Sequence, residues 1–213
     1  MAGDATGPRR VAVDLMGDVI EDRRLLSEAL PRRVERLAPE DRARAQRLTL
    51  MALRVADRAD RMLGPHLTRR PPPRVMNILR LGVAEICEAG EVAHGVVNSA
   101  VEIARANRKT AGMAGLVNAV LRKVAGEAGK WPGLPVPRLP KWLRKPLVDD
   151  YGKAAVAAME AAHYAGAPLD LSAKGDADAL AAAVGGAVLP TGSVRVAAGA
   201  QVTALPGFEA GDW

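Results

Sequence analysis

Along the first 126 positions, apolar residues recur at three- and four-residue intervals, the repeat of helices that each bury one face. Ala12, Leu15, Met16, Val19 and Ile20 mark a first helix. A short second helix is expected over 25–37, started or interrupted by Pro31, because proline is tolerated only in a first turn. Pro39-Glu40-Asp41 is a helix opening, with carboxylates at the positive end of the dipole. Ala45, Leu48, Ala52, Val55, Ala59 and Met62 then form one stripe that Gly64-Pro65 ends. Arg69-Arg70-Pro71-Pro72-Pro73 reads as a stiff connector. Beyond it Val75, Ile78, Leu79, Val83 and Ile86 share a face. Gly82 lies on that face and leaves room for a neighbouring helix, and Gly90 closes the segment. Val97, Ala100, Val101 and Ala104 mark the next helix. Met113, Leu116, Val117, Val120, Leu121 and Val124 mark the last, with Thr110 as its candidate N-cap and Gly126 and Gly129 beyond it.

The pattern changes at residues 131–140, WPGLPVPRLP, where four prolines suit a linker. Trp142, Leu143, Leu147 and Val148 follow on a short helix from Pro140. An alanine-rich helix over 154–164 is stopped by Gly166 and Pro168. Leu169-Asp170-Leu171, Val194-Arg195-Val196 and Val202-Thr203-Ala204-Leu205 alternate as strands. Residues 176–184 read as a helix capped by Asp176, with Gly185-Gly186 as its stop. The expected fold is mainly α: a helical bundle domain over 1–129, a linker over 130–139 and a small α+β domain over 140–213.

Charge sharpens this division. The chain carries 30 Lys and Arg against 24 Asp and Glu, a net +6. Residues 1–129 hold 22 basic and 16 acidic residues, whereas 130–213 hold 8 of each, so the excess lies wholly in the first part. A basic module beside a neutral one points to a polyanionic partner; the rival reading is a basic surface that follows from an Ala- and Arg-rich composition. Aromatics make up only 3% of the chain, which argues against base stacking as the main contact and leaves Arg and Lys to meet phosphate. The candidates are Arg9 and Arg10; Arg69, Arg70 and Arg74; Arg105, Arg108 and Lys109; and Arg122 and Lys123. Arg23, Arg24, Arg32 and Arg33 are interleaved with Glu21, Asp22, Glu28 and Glu35 and read as surface ion pairs.

Other chemistry is sparse. The apolar runs are too short for a transmembrane helix, and the polar N-terminus lacks the core of a signal peptide, so a cytoplasmic protein is expected. A single cysteine, Cys87, excludes an internal disulfide and a cysteine-rich zinc site. It lies one residue off an apolar stripe and reads as a half-buried structural thiol. His66, His94 and His163 lack helical ligand spacing, so no metal is expected. His94 reads as a cap-like or packing residue. Asn98 and Asn118 sit beside apolar stripes and are expected to satisfy buried backbone groups.

Three segments carry a resemblance. Arg74 to Ile86 (RVMNILRLGVAEI) resembles the LRLG helix of NusB-like domains. His94 to Ala104 (HGVVNSAVEIA) resembles the H-A-x-V-N-E-A-V-E-L-A helix that follows it, and Gly115 to Arg122 (GLVNAVLR) the FVNAVLR helix that closes the domain. Asp41-Arg42, near the start of a long helix, fits too. The resemblance covers roughly residues 8–129 and implies about six or seven helices in two packed bundles. Pro140-Lys-Trp142-Leu143 is similar to the P-x-W-L that opens the methyltransferase region of RsmB (Sun)-type RNA cytosine-5 methyltransferases. Leu205-Pro-Gly-Phe-Glu-Ala-Gly211 is similar to the LPGF-x-x-G that precedes their S-adenosylmethionine domain. Leu169-Asp-Leu-Ser172 departs from the usual L-R-V-N, so no nucleotide contact is carried over to it.

The resemblance implies the RNA-binding front of a small-subunit (16S-type) rRNA (cytosine-5)-methyltransferase, dependent on S-adenosylmethionine in the full enzyme. No catalytic or cofactor residue is then expected in this chain, because the family's Pro-Cys and Thr-Cys motifs do not occur in it. Stand-alone members use an arginine-rich start for RNA contact, which makes Arg9 and Arg10 the foremost candidates. The alternatives are a NusB-like antitermination or RNA-binding factor without catalysis, and a structural or oligomerisation module.

Overall fold

A computed structural model describes residues 6–197, 200 and 202–213. They divide into two compact units, 1–145 and 146–213.

In the first unit, α1 (Gly7–Ile20) begins with Pro8 in its first turn and buries Ala12, Val13, Leu15 and Met16. It packs on α2 (Leu26–Val34), α3 (Pro39–Arg54) and α5 (Pro73–Val83). The stripe expected to run unbroken from Ala45 to Met62 bends at Val55 (φ −101°, ψ 10°), and a separate helix, α4 (Ala56–Leu63), follows. Val55 is itself buried, so the bend keeps both halves of the stripe against the core.

The centre of the unit is α5, in which every residue from Val75 to Val83 is buried. It meets α1, α3 and α4 as well as α6 (Ala93–Arg105) and α7 (Ala114–Gly126). Gly82 eases this approach: a Cβ there would stand 2.7 Å from Leu121 Cδ1, so a larger residue would have to displace the Leu121 side chain of α7. After Val83 the helix widens into a π turn over Ala84–Glu88, a distortion that apolar spacing does not encode.

Thr110 does not cap α7. Its buried hydroxyl donates to the Ala104 carbonyl at 2.7 Å, and a 3-10 turn over Ala111–Met113 intervenes before α7 begins. The hydroxyl thus ties off the end of α6 rather than opening the next helix. The proline-rich stretch begins as a 3-10 turn over Ala128–Gly133, with Trp131 buried. Arg58 lies 4.4 Å over the Trp131 ring and donates to its carbonyl, while the indole N–H donates to Glu88 at 2.8 Å. This clasp holds residues 128–133 on the helical unit. Then α8 (Lys141–Ala165) leaves helical geometry at Gly152 (φ 81°, ψ 161°), so its two stretches match the two helices expected there.

The second unit contains β1 (Leu169–Ser172), α9 (Ala177–Val184), β2 (Ala187–Val188) and β3 (Ser193–Val196). The sheet is antiparallel in the order β1-β3-β2, with Leu169 opposite Val196 and Leu171 opposite Val194. Leu171, Val194 and Val196 are buried, as are Ala181 of α9 and Val156 of α8. Asp176 caps α9, accepting from the amides of Asp178 (2.8 Å) and Ala179 (3.3 Å). Gly185 closes the helix with a left-handed backbone (φ 65°), as its position predicts. Residues 202–204 form a 3-10 turn and not the expected strand.

Candidate nucleic-acid interface

The ten candidate cations separate by what they touch. Arg9 does not reach the surface. Pro8 starts the helix at Gly7, which puts Arg9 inside α1 on the core side, only 7% exposed. Its Nε donates to both oxygens of Glu85, at 2.9 and 3.0 Å, and its Nη2 stands 2.7 Å from Oε1. A guanidinium held this way inside the protein has no face left for a phosphate. Arg10, one residue on, is exposed and donates to Thr6 Oγ1 at 3.3 Å. Arg74 is half-buried and paired with Asp14. Arg70 is exposed, at 4.0 Å from Asp60, and Arg69 is exposed with no side-chain partner among the described residues.

The remaining five behave alike. Arg105 ends α6, Arg108 and Lys109 lie in the turn after it, and Arg122 and Lys123 lie on α7. All five are exposed, and none has a side-chain hydrogen bond or ion pair among the described residues. The helices α6 and α7 form a hairpin, with residues 93–98 beside 118–125 along an open groove. Arg105 lies seven positions beyond Asn98, about two helical turns, so both fall on one stripe with His94.

The groove has a volume of about 340 Å³. Ala93, Val97 and Ala125 give it an apolar floor, and His94, Asn98, Asn118 and Arg122 give it polar walls. The expected structural role of the two asparagines does not hold for Asn98. It is exposed, and its Nδ2 lies 3.4 Å from the ring nitrogens of His94. Nor does His94 pack inside, since it too is exposed. The missed signal is the i, i+4 pairing of His94 with Asn98 and of Asn118 with Arg122, which puts polar groups along the edge of each stripe.

The paired arginines elsewhere explain themselves locally. Arg33 donates to both oxygens of buried Asp18 at 2.7 Å, so it is not the surface pair expected with the neighbouring glutamates. That hydrogen-bonded guanidinium holds the Asp18 carboxyl below its ordinary value. Arg80, buried in α5, donates to Asp60 from Nε and Nη2 at 2.7 Å and to Asn77 Oδ1 at 3.1 Å. Burial raises the Glu21 carboxyl, against the Asn77 amide that donates to it at 3.1 Å. Burial also pushes the Cys87 thiol up to about 11, so it stays protonated near neutral pH and is no nucleophile. Groups of acidic, histidine and cysteine side chains able to hold a metal do not occur among the described residues, and no helix there is long and apolar enough to cross a membrane.

Comparison with known proteins places this architecture. The model of the NusB family matches residues 6–126. Ribosomal RNA small subunit methyltransferase B of Thermus thermophilus is 40% identical over 156 residues, which is 70% of this chain and 37% of that protein. The chain thus spans little over a third of the length of this relative. The crystal structure of antitermination factors NusB and NusE in complex with dsRNA contains a chain with the same fold (TM-score 0.53, 23% identity), matched over 60% of this chain and 99% of that one. A chain in the crystal structure of a plectonemic RNA supercoil superposes equally well (TM-score 0.53, 22% identity), over 57% of this chain and 94% of that one. With the family pattern running from α1 to the end of α7, the chain belongs to the NusB family.

Proposed function

We propose that this chain is the RNA-recognition region of a small-subunit ribosomal RNA (cytosine-5)-methyltransferase acting in the cytoplasm. In this reading S-adenosylmethionine and the catalytic thiols belong to a further domain. The helical unit supplies electrostatic affinity and orients the RNA. The observation that carries the reading is the set of five exposed cations on the α6–α7 hairpin, which lack side-chain partners among the described residues. Charges without an internal partner keep their full attraction for phosphate, whereas those in buried pairs are already neutralised. The similarity to the Thermus rRNA methyltransferase supports ribosomal RNA as the polyanion.

Photocrosslinking of this chain to small-subunit rRNA, with the crosslinked peptides identified by mass spectrometry, tests the reading. Crosslinks should concentrate in residues 93–126. Crosslinks confined to the α1–α5 surface, or none at low salt, would overturn it. Incubated with S-adenosylmethionine and rRNA, the chain alone should transfer no methyl group.

A further inference from the structure

We infer that the groove between α6 and α7 seats one unpaired nucleotide of the bound RNA and holds the polar edge of its base. The inference rests on the RNA-binding reading above and adds a pocket for an unpaired base to a surface otherwise suited only to phosphate.

The groove, about 340 Å³, lies at the small end of the range for small-ligand sites, so it suits one nucleotide and not a helix or a folded partner. Its floor of Ala93, Val97 and Ala125 offers an apolar seat for a flat ring. Its walls hold two carboxamides, Asn98 on α6 and Asn118 on α7. A carboxamide presents a donor and an acceptor side by side, the complement of the adjacent donor and acceptor on the Watson–Crick edge of an unpaired base. Both are free to turn to a ligand: Asn98 makes only the long 3.4 Å approach to the His94 ring, and Asn118 has no hydrogen-bond partner among the described residues. Arg122, one turn along α7 from Asn118, stands at the same wall. Its unpaired guanidinium can hold the phosphate of the nucleotide whose base the amides engage.

No aromatic residue lines the groove, so the base is held by its edge and not by stacking. A paired base cannot enter, because in an A-form duplex its edge is engaged and the major groove is too deep and narrow for side chains to reach. The occupant is therefore a base from a loop, bulge or single strand.

The test uses fluorescence anisotropy of the whole chain with a short labelled single-stranded RNA and an abasic ribose-phosphate strand of the same length at several salt concentrations. The wild type should favour the strand that carries bases about tenfold, the scale of one good bidentate amide–base pair. The Asn98→Ala/Asn118→Ala variant should lose that preference and keep the salt dependence of the wild type. Neither residue is buried, and an unchanged melting curve confirms the fold. Equal binding of the two strands by the wild type, or a preference for the strand with bases that survives in the double variant, would overturn the groove assignment alone. Failure to bind either strand at low salt would bring down the RNA-binding reading itself.

Discussion

Two sets of cations in the helical unit carry the same charge to opposite ends. Arg9, Arg33, Arg58, Arg74 and Arg80 lie on α1, α2, α4 and α5 and are tied to Glu85, Asp18, Trp131, Asp14 and Asp60. Arg105, Arg108, Lys109, Arg122 and Lys123 stand on the α6–α7 hairpin with no such partner among the described residues. The first set fixes how the central helices meet, and the second is left for something outside. The difference shows why net charge does not locate a binding face. A +6 chain contains arginines whose field is cancelled within a few ångströms, and only pairing tells them apart from the rest.

The contrast can be broken most forcefully at Glu85. Replacing it by alanine leaves the Arg9 guanidinium buried and uncompensated, and should destabilise the chain by about 3–5 kcal/mol in urea unfolding. The joint change Arg9→Met/Glu85→Leu should recover most of that loss; a single-site loss below about 1 kcal/mol would mean that the pair is not structural. Next comes Gly82→Ala. Its new Cβ would meet the buried Leu121 Cδ1 at 2.7 Å and force that side chain to shift, so a loss of about 1–3 kcal/mol is expected, read as a lower melting temperature.

A smaller effect depends on pH. Arg33 holds the Asp18 carboxyl below its ordinary value of 3.8, so the ion pair stabilises fully above that value. The contribution is lost as pH falls through the depressed folded value. The stability gap between wild type and Arg33→Ala should stay constant near neutrality and shrink below about pH 4. A gap that widens on acidification would contradict the pairing. The smallest effect on stability belongs to the hairpin: Arg122→Gln/Lys123→Gln should change unfolding by less than about 0.5 kcal/mol, because exposed side chains without partners hold nothing together.

The helical unit was legible in the sequence because its apolar residues keep a 3.6-residue period, and Gly82 announced its own close contact. What escaped was local. The bend at Val55 leaves the stripe intact on both sides, so periodicity does not register it. Thr110 has a capping residue's chemistry, yet its hydroxyl turned back to the Ala104 carbonyl. The 202–204 segment alternates as a strand would, but alternation over so few residues does not separate strand from turn. At the candidate site, exposure of the hairpin cations agreed with a basic surface, whereas Arg9 required knowing that α5 would bring Glu85 to it from 76 positions away. The groove was hidden for the same reason. Asn98 and Asn118 each look like helix-packing amides, and only the hairpin puts them on facing walls.

The central claim is that the hairpin, and not the paired arginines, meets RNA. It is tested most directly by the slope of log affinity against log salt for single-stranded RNA. Wild type should be compared with a variant carrying glutamine at positions 105, 108, 109, 122 and 123. The account predicts a slope shallower by about 3–4 in the variant, the counterions released by five phosphate contacts, with an unchanged melting curve. Equal slopes for the two proteins would contradict it.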